Sequence, residues 1–416
     1  MRKVFAAISL VAILLPLWVK AAEPLTLTEA QSLINPQDPS FARFGAQAEA
    51  LENAAVADGQ LPDPRIKVGV LNLPTNTFDF SQEPMTQAVV GLSQAFPPFG
   101  TLSLKTARTK HLADRQRALR SAENLNALLA VRLDWLEAHY WSRAVEVLQD
   151  SKDSLRNVIG ATSSRFATGI ARSEDLVRTE LELSIVEDRE LDARRKLEDA
   201  QSRLVRWVGE AGRRPIDSVF PDLPPPGDLE TLRAGLSRHP RIIELDEETA
   251  AKRRGTEIAE RRYFPNFALE AQYGYRDQDL MGRDLPDFAS FMVNMSVPLF
   301  FWNRQDKEVA RSRLEVRSVE LSRSQRLIEF DKMLEIAWAD WIRFGDRVDL
   351  YEKAIRSQAD ENIDASMVAY QSDVTDFSTL MRAQLTEIDT RLRGLRVRVD
   401  QAKAQSQLLY LKAGAE

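Results

Sequence analysis

Histidines, clustered carboxylates and thioethers are the side chains in this sequence whose types do chemistry, and their spacing decides whether they do it here. His111, His139 and His239 lie far apart, with no HExxH pattern and no Cys/His spacing around them, so each reads as a helix-surface or packing residue instead of a metal ligand. Glu187, Asp188 and Glu190 in "VEDRE" are close enough for acid and base work, yet their charge-rich helical setting makes them a solvated face. Met281, Met292 and Met295 offer thioethers of the kind that bind copper(I). Met295, however, falls on the apolar side of an alternating segment, which makes it surface. No G-x-S-x-G, P-loop or G-x-G-x-x-G pattern occurs. The chain is therefore read as no enzyme, with no catalytic residue, no cofactor and no metal site.

A second set of polar residues sits in two short helix breaks, "RFATGIARSEDLVRTEL" (165–181) and "AYQSDVTDFSTLMRAQL" (369–385). Ser173, Glu174 and Asp175, like Thr375 and Asp376, stand where N-caps and first-turn acids belong. There they stabilise a helix end by about 0.5 to 2 kcal/mol.

The elements that position these residues are long. Residues 1–22, "MRKVFAAISLVAILLPLWVKAA", have a basic start, an apolar run broken by Ser9 and Pro16, and small residues at Ala21 and Ala22, the pattern of a secretory signal peptide. Removing Arg2, Lys3 and Lys20 leaves 53 basic against 62 acidic residues, a net charge of −9, which gives no reason to expect nucleic acid as a partner. The absence of cysteine excludes disulfides, thiolate metal sites and a lipidated N-terminal cysteine. No later apolar run approaches the roughly 18 residues of a membrane helix, so entry into a membrane would have to be by strands.

The chain is also written twice. Pro39 and Pro64 stand 25 apart, as do Pro240 and Pro265, at an offset of 201. "SQAFPPFG" (93–100) and "SVPLFFWN" (296–303) match at 203, and "DAQSRL" and "KAQSQL" at 204. Self-similarity of this length predicts a first structural repeat over 23–212 and a second over 231–416, joined by a proline-rich linker at 213–230.

Each repeat carries two segments of period two. The strands are expected at about 65–73, 85–96, 266–276 and 289–299, each roughly 10 residues, the length that crosses a bilayer when tilted. Ala88, Val90, Leu92 and Phe96 share one face, and so do Phe291, Val293, Met295 and Val297. Val90, Leu92, Val293 and Met295 are the residues assigned to lipid. Aromatics gather near the strand ends, among them Phe99, Phe300, Phe301 and Trp302, as in interfacial girdles.

Long helices come next, expected at about 101–162, 173–209, 303–368 and 376–412. A run without glycine or proline from Thr101 to Ile159 could extend roughly 90 Å and needs lateral partners. Leu129, Leu133, Leu136 and Tyr140 supply a heptad seam, as do Leu385, Ile388, Leu392, Leu395, Val399 and Ala402. Open sheet edges cannot face lipid, and four strands cannot close a barrel with a usable lumen, so copies of the chain must complete it. Two hairpins in a soluble sandwich are the competing arrangement.

Helix, hairpin, long helix, break and returning helix, all duplicated, with "SQAFPPFG" and "SVPLFF" closing the second strand of each repeat, resemble the TolC-type outer-membrane efflux family over essentially the whole mature chain. The resemblance implies a mainly α fold with a membrane β-barrel portion: a homotrimer with a 12-stranded barrel in the outer membrane of a Gram-negative cell and a long helical tunnel in the periplasm. It further implies a periplasmic adaptor protein and an inner-membrane pump, of RND type, with small toxic compounds or metal ions as cargo. A type I protein-secretion duct and a soluble periplasmic coiled-coil scaffold are the alternatives. In the family an aspartate of the first break meets a tyrosine and an arginine of the second. Asp175 and Tyr370 fit two of these roles, but Thr375 stands at the arginine position and Asp373 at a glycine. Arg172, Asp373 and Asp376 are candidates for a rebuilt latch, a role that can coexist with capping.

Overall fold

The computed structural model describes residues 23–168, 172–372 and 374–412. The segment read as a signal peptide and the tip residue Asp373 lie outside them. The chain divides into two units, residues 1–33 with 134–222, and residues 34–133 with 223–416.

In chain order the helices and strands are α1 (Leu27–Ser32), α2 (Pro39–Asp58), β1 (Arg65–Leu71), β2 (Gln87–Phe96), α3 (Thr101–Ala167), α4 (Ser173–Val208), α5 (Leu229–Gly235), α6 (Pro240–Arg261), β3 (Asn266–Tyr275), β4 (Phe288–Ser296), α7 (Gln305–Leu350), α8 (Arg356–Gln371) and α9 (Phe377–Lys412). Asp38 starts α2, accepting the Ser40 N–H at 2.9 Å with Pro39 at the first helical position. Asp228 opens α5 in the same manner, its carboxylate accepting the Thr231 N–H at 2.9 Å.

All four strands lie in one antiparallel sheet, ordered β1-β2-β3-β4. Val68 pairs with Val90, Val90 with Tyr273, and Tyr273 with Ala289, so the alternating apolar residues of every strand fall on one face. Among the described residues no second layer covers that face, so the chain by itself forms no sandwich. The strands end a few residues short of the expected bounds, β1 at Leu71 and β4 at Ser296, where Asn72 in the left-handed region and Pro298 turn the chain away.

In the larger unit the core is built where α5, α6, α7 and α9 meet: Leu232, Leu236, Ile242, Phe330, Leu334 and Leu408 are buried together. Ile388, Val399 and Ala402 of the heptad seam on α9 are buried as well. The expected uninterrupted helix 303–368 is different: it begins at Gln305 and is broken by a π-turn at Tyr351–Ile355. That turn carries extra residues relative to an α-helix and rotates the apolar stripe of α8 against that of α7. Tyr351 in the turn packs over Gly394 of α9, its ring 3.4 Å from where a Cβ would stand, an ordinary contact distance.

The smaller unit joins its N-terminal segment to the end of α4 and the start of the linker. Leu25 bridges Ile216 in parallel, the Leu25 N–H donating to the Pro215 carbonyl at 2.7 Å. Trp135 donates its indole N–H to the Leu25 carbonyl at 2.9 Å, and Arg214 grips both oxygens of Glu29, at 2.6 and 3.2 Å. This part of the proline-rich segment is therefore packed and hydrogen-bonded, which its composition does not reveal.

Candidate functional site

The sheet is the first part of the site, because its two faces differ in chemistry. On the outer face Val68 is 78% exposed, Phe291 84% and Val293 67%, with Val90, Leu92 and Met295 each about half exposed. Burying that much apolar surface is worth about 25 cal/mol per Å², which water does not supply and lipid does. The other face carries Arg65, Lys67, Glu270, Gln272 and Asn294. Lys67 on β1 reaches across β2 to Glu270 on β3 at 3.3 Å. Between them lies Gly91, where a Cβ would meet the Ala271 carbonyl at 3.3 Å, so a larger residue there would press on β3.

The loops at one end of the strands are tied by a residue that sequence reasoning missed. Arg276 is buried, donates to the Pro84 carbonyl at 2.9 Å and to the Pro286 carbonyl at 2.8 Å, and lies 4.0 Å over the Phe288 ring. It thereby fastens the β1–β2 loop to the β3–β4 loop. A lone arginine after a strand gives no sequence signal for this. Beside it Asp287 is held below the usual carboxylate range, first by the Tyr273 hydroxyl and then by the Arg276 backbone N–H.

At the helix breaks the described residues act as caps. Asp175 accepts the backbone N–H of Arg172 at 3.3 Å, closing the first turn of α4. Asp376 accepts both the N–H and the hydroxyl of Thr379, at 2.9 and 2.7 Å, and so starts α9. Tyr370 is buried at the end of α8, its ring edge-on to Phe377 at 5.8 Å.

The histidines divide. His139 stacks on Trp135 and its Nδ1 lies 3.0 Å from the Asp217 carbonyl. Buried His239 accepts the Arg241 N–H through Nδ1 at 3.2 Å, between the rings of Phe330 and Tyr410, and burial lowers its pKa to about 4. Both are packing residues, as their isolation in the sequence indicated. His111 instead stands 2.8 Å from Glu247 on α6, with Asp114 close enough for all three to offer ligand atoms within 4.8 Å. Asp114 is already engaged by Arg117. The "VEDRE" reading is corrected at one residue: Glu190 is buried and grips Lys152 of α3 at 2.6 Å and Arg194 at 2.5 Å. The hydrogen bond from Lys152 leads in lowering its pKa to about 2. A face that is solvated in one helix alone is covered once α3 lies beside it.

Residues 32–210 match the model of the family described as outer membrane efflux protein. Over this stretch, less than half of its length, the chain is similar to the outer-membrane efflux proteins. The fold agrees over nearly all of its length with solved channels of this type. CusC is 14% identical, with 94% of this chain and 91% of that one covered at a TM-score of 0.77. The CmeC outer membrane channel of Campylobacter jejuni is 13% identical, with 94% and 86% covered at 0.76. The outer membrane protein VceC of Vibrio cholerae is 14% identical, with 94% and 95% covered at 0.75. No curated protein matches the chain in sequence. An efflux protein of this family sits in the outer membrane of a Gram-negative cell with a helical part in the periplasm, and its members are passive channels, not enzymes. They form homotrimers and work with adaptors and inner-membrane pumps.

Proposed function

We propose that three copies of this chain close a 12-stranded barrel and form the exit duct of a tripartite efflux system. A periplasmic adaptor and an RND-type inner-membrane pump feed it small toxic compounds or metal ions, and it conducts them passively. The observation that carries this reading is the single-layer sheet, with its bare apolar face and with both edges, β1 and β4, unpaired among the described residues. In lipid each unpaired backbone group costs several kcal/mol, so β4 of one copy must meet β1 of the next. On α7, Leu314, Leu321 and Ile328 are exposed at steps of seven, the spacing of a coiled-coil seam, which supports contact with a neighbouring copy. The order α2-β1-β2-α3-α4, and after it α6-β3-β4-α7-α8-α9, supports two repeats at 23–212 and 231–416 around the linker 213–230.

The gate belongs to the same proposal. Asp175, Tyr370, Asp373, Asp376 and Arg172 belong to the two breaks, and threefold symmetry makes each acid a ring of carboxylates. The experiment for the duct is the molar mass of the mature protein in detergent micelles, by light scattering corrected for bound detergent. Three chains per particle are expected. A single chain, or recovery from the soluble periplasm, overturns the reading.

A further inference from the structure

We propose that the chain binds the phosphate group of a phospholipid where its strands give way to helices. A cavity of about 410 Å³ opens there between the starts of α3 and α7 and the end of α6. Lys105, Arg261, Arg262 and Arg304 line it against one carboxylate, Glu308, which Arg262 holds at 2.5 Å. Among the described residues neither Lys105 nor Arg304 has an ion-pair partner, so the cavity keeps a surplus of positive charge. No side chain caps α7, a helix of 46 residues whose N-terminal dipole adds positive potential, set against the first-turn acids Asp306 and Glu308.

Two buried groups are left waiting in the wall. Thr101 is 8% exposed and Gln305 7%, and neither the Thr101 Oγ1 nor the Gln305 Oε1 has a hydrogen-bond partner. Buried polar atoms are nearly always paired, so an unpaired couple in a cationic cavity points to an absent ligand. The Gln305 amide nitrogen donates to the Arg262 carbonyl at 3.4 Å, which leaves its oxygen as the group without a partner. Thr101 can then donate its hydroxyl to a phosphate oxygen, while Gln305 accepts from an ammonium or hydroxyl of the headgroup. The four cations supply charge-assisted hydrogen bonds to the anion.

The surroundings say where the phosphate comes from. Phe300, Phe301 and Trp302 are exposed on the approach to α7, and Phe99 is 96% exposed before α3. Such aromatics sit at headgroup depth, so the cavity opens at the level of lipid phosphates on the periplasmic side. This placement rests on the outer-membrane reading, whereas binding of the phosphate group does not.

The test is native mass spectrometry of the full-length protein in dodecyl maltoside, titrated with dioleoylphosphatidylglycerol and dioleoylphosphatidylethanolamine, and in a second arm with inorganic phosphate. One saturable lipid per chain is expected. Lys105→Gln with Arg304→Gln should weaken it at least tenfold, while Lys105→Arg keeps it. Circular dichroism of each variant verifies the fold, and both cations are exposed, so their loss leaves the core untouched. Inorganic phosphate displacing the lipid at similar concentrations supports a site for the phosphate group from either source. Lipid that phosphate does not displace supports the membrane as the source. Equal binding by wild type and the folded double variant, or no saturable binding, overturns the site. Loss of the trimer mass with lipid retained on single chains would sink the assembly and leave the site standing.

Discussion

Val293 offers the sharpest test of the lipid-facing sheet, because its neighbour Asn294 points the other way. Val293 stands one residue from the middle of β4, is 67% exposed, and pairs with Leu269 of β3, so it lies near mid-depth of the apolar band. A lysine at the midplane of a barrel costs about 2 to 4 kcal/mol. Three copies bring this to roughly 6 to 12 kcal/mol per trimer, comparable to the 5 to 15 kcal/mol that holds a whole domain. Val293→Lys should therefore lower the detergent-resistant trimer in the outer-membrane fraction at least tenfold, whereas Asn294→Lys and Val293→Leu should leave it near wild type. The assay is an immunoblot of unheated and heated outer-membrane samples. If Val293→Lys assembles as well as Asn294→Lys, or if both fail alike, the assignment of faces is wrong.

The helices give further expected outcomes. His239 is neutral in the fold, with its pKa lowered to about 4 from 6.5, so its contribution is complete above pH 6.5 and fades as pH falls toward 4. About 2 kcal/mol should be lost by pH 5, and His239→Gln should flatten that slope in urea titrations at pH 7.5 and 5. The Glu190 carboxylate, lowered to about 2 from 4.5, stabilises α3 against α4 above pH 4.5 and loses this as pH falls toward 2. Lys152→Met should destabilise that pair by about 3 to 5 kcal/mol, read as faster hydrogen exchange within residues 146–194, and unchanged exchange would refute the burial argument. Asp376→Ala should cost about 1 kcal/mol of helix stability through its lost cap. Together with Asp373→Ala, it should also shift the cation preference of the reconstituted channel; identical currents would leave only the capping role.

Period-two alternation made the hairpins legible, because a sheet bare on one face must repeat apolar residues every second position. Rare glycine and proline made the long helices equally plain. The π-turn at Tyr351–Ile355 was not legible, since no proline or glycine marks it and its Tyr351 packs on Gly394 of another helix. The same holds for Glu190, whose partner Lys152 sits 38 residues away, and for Arg276, which works on carbonyls from two loops. Caps at Asp175 and Asp376 were visible because capping is local. The cationic cavity was invisible, since its wall is drawn from three segments that only folding brings together.

The open edges of the sheet also govern how such a protein comes into being. A solitary chain displays a row of unpaired donors and acceptors on β1 and another on β4, beside a face that water cannot satisfy. Those edges are templates for any strand they meet, so every second spent alone in the periplasm is a second exposed to wrong pairing. Completion depends on encounter, and encounter slows steeply as copies become scarce. Low expression therefore does more than reduce the number of ducts: it lengthens the vulnerable interval of each chain, and periplasmic chaperones and proteases decide which chains outlast it.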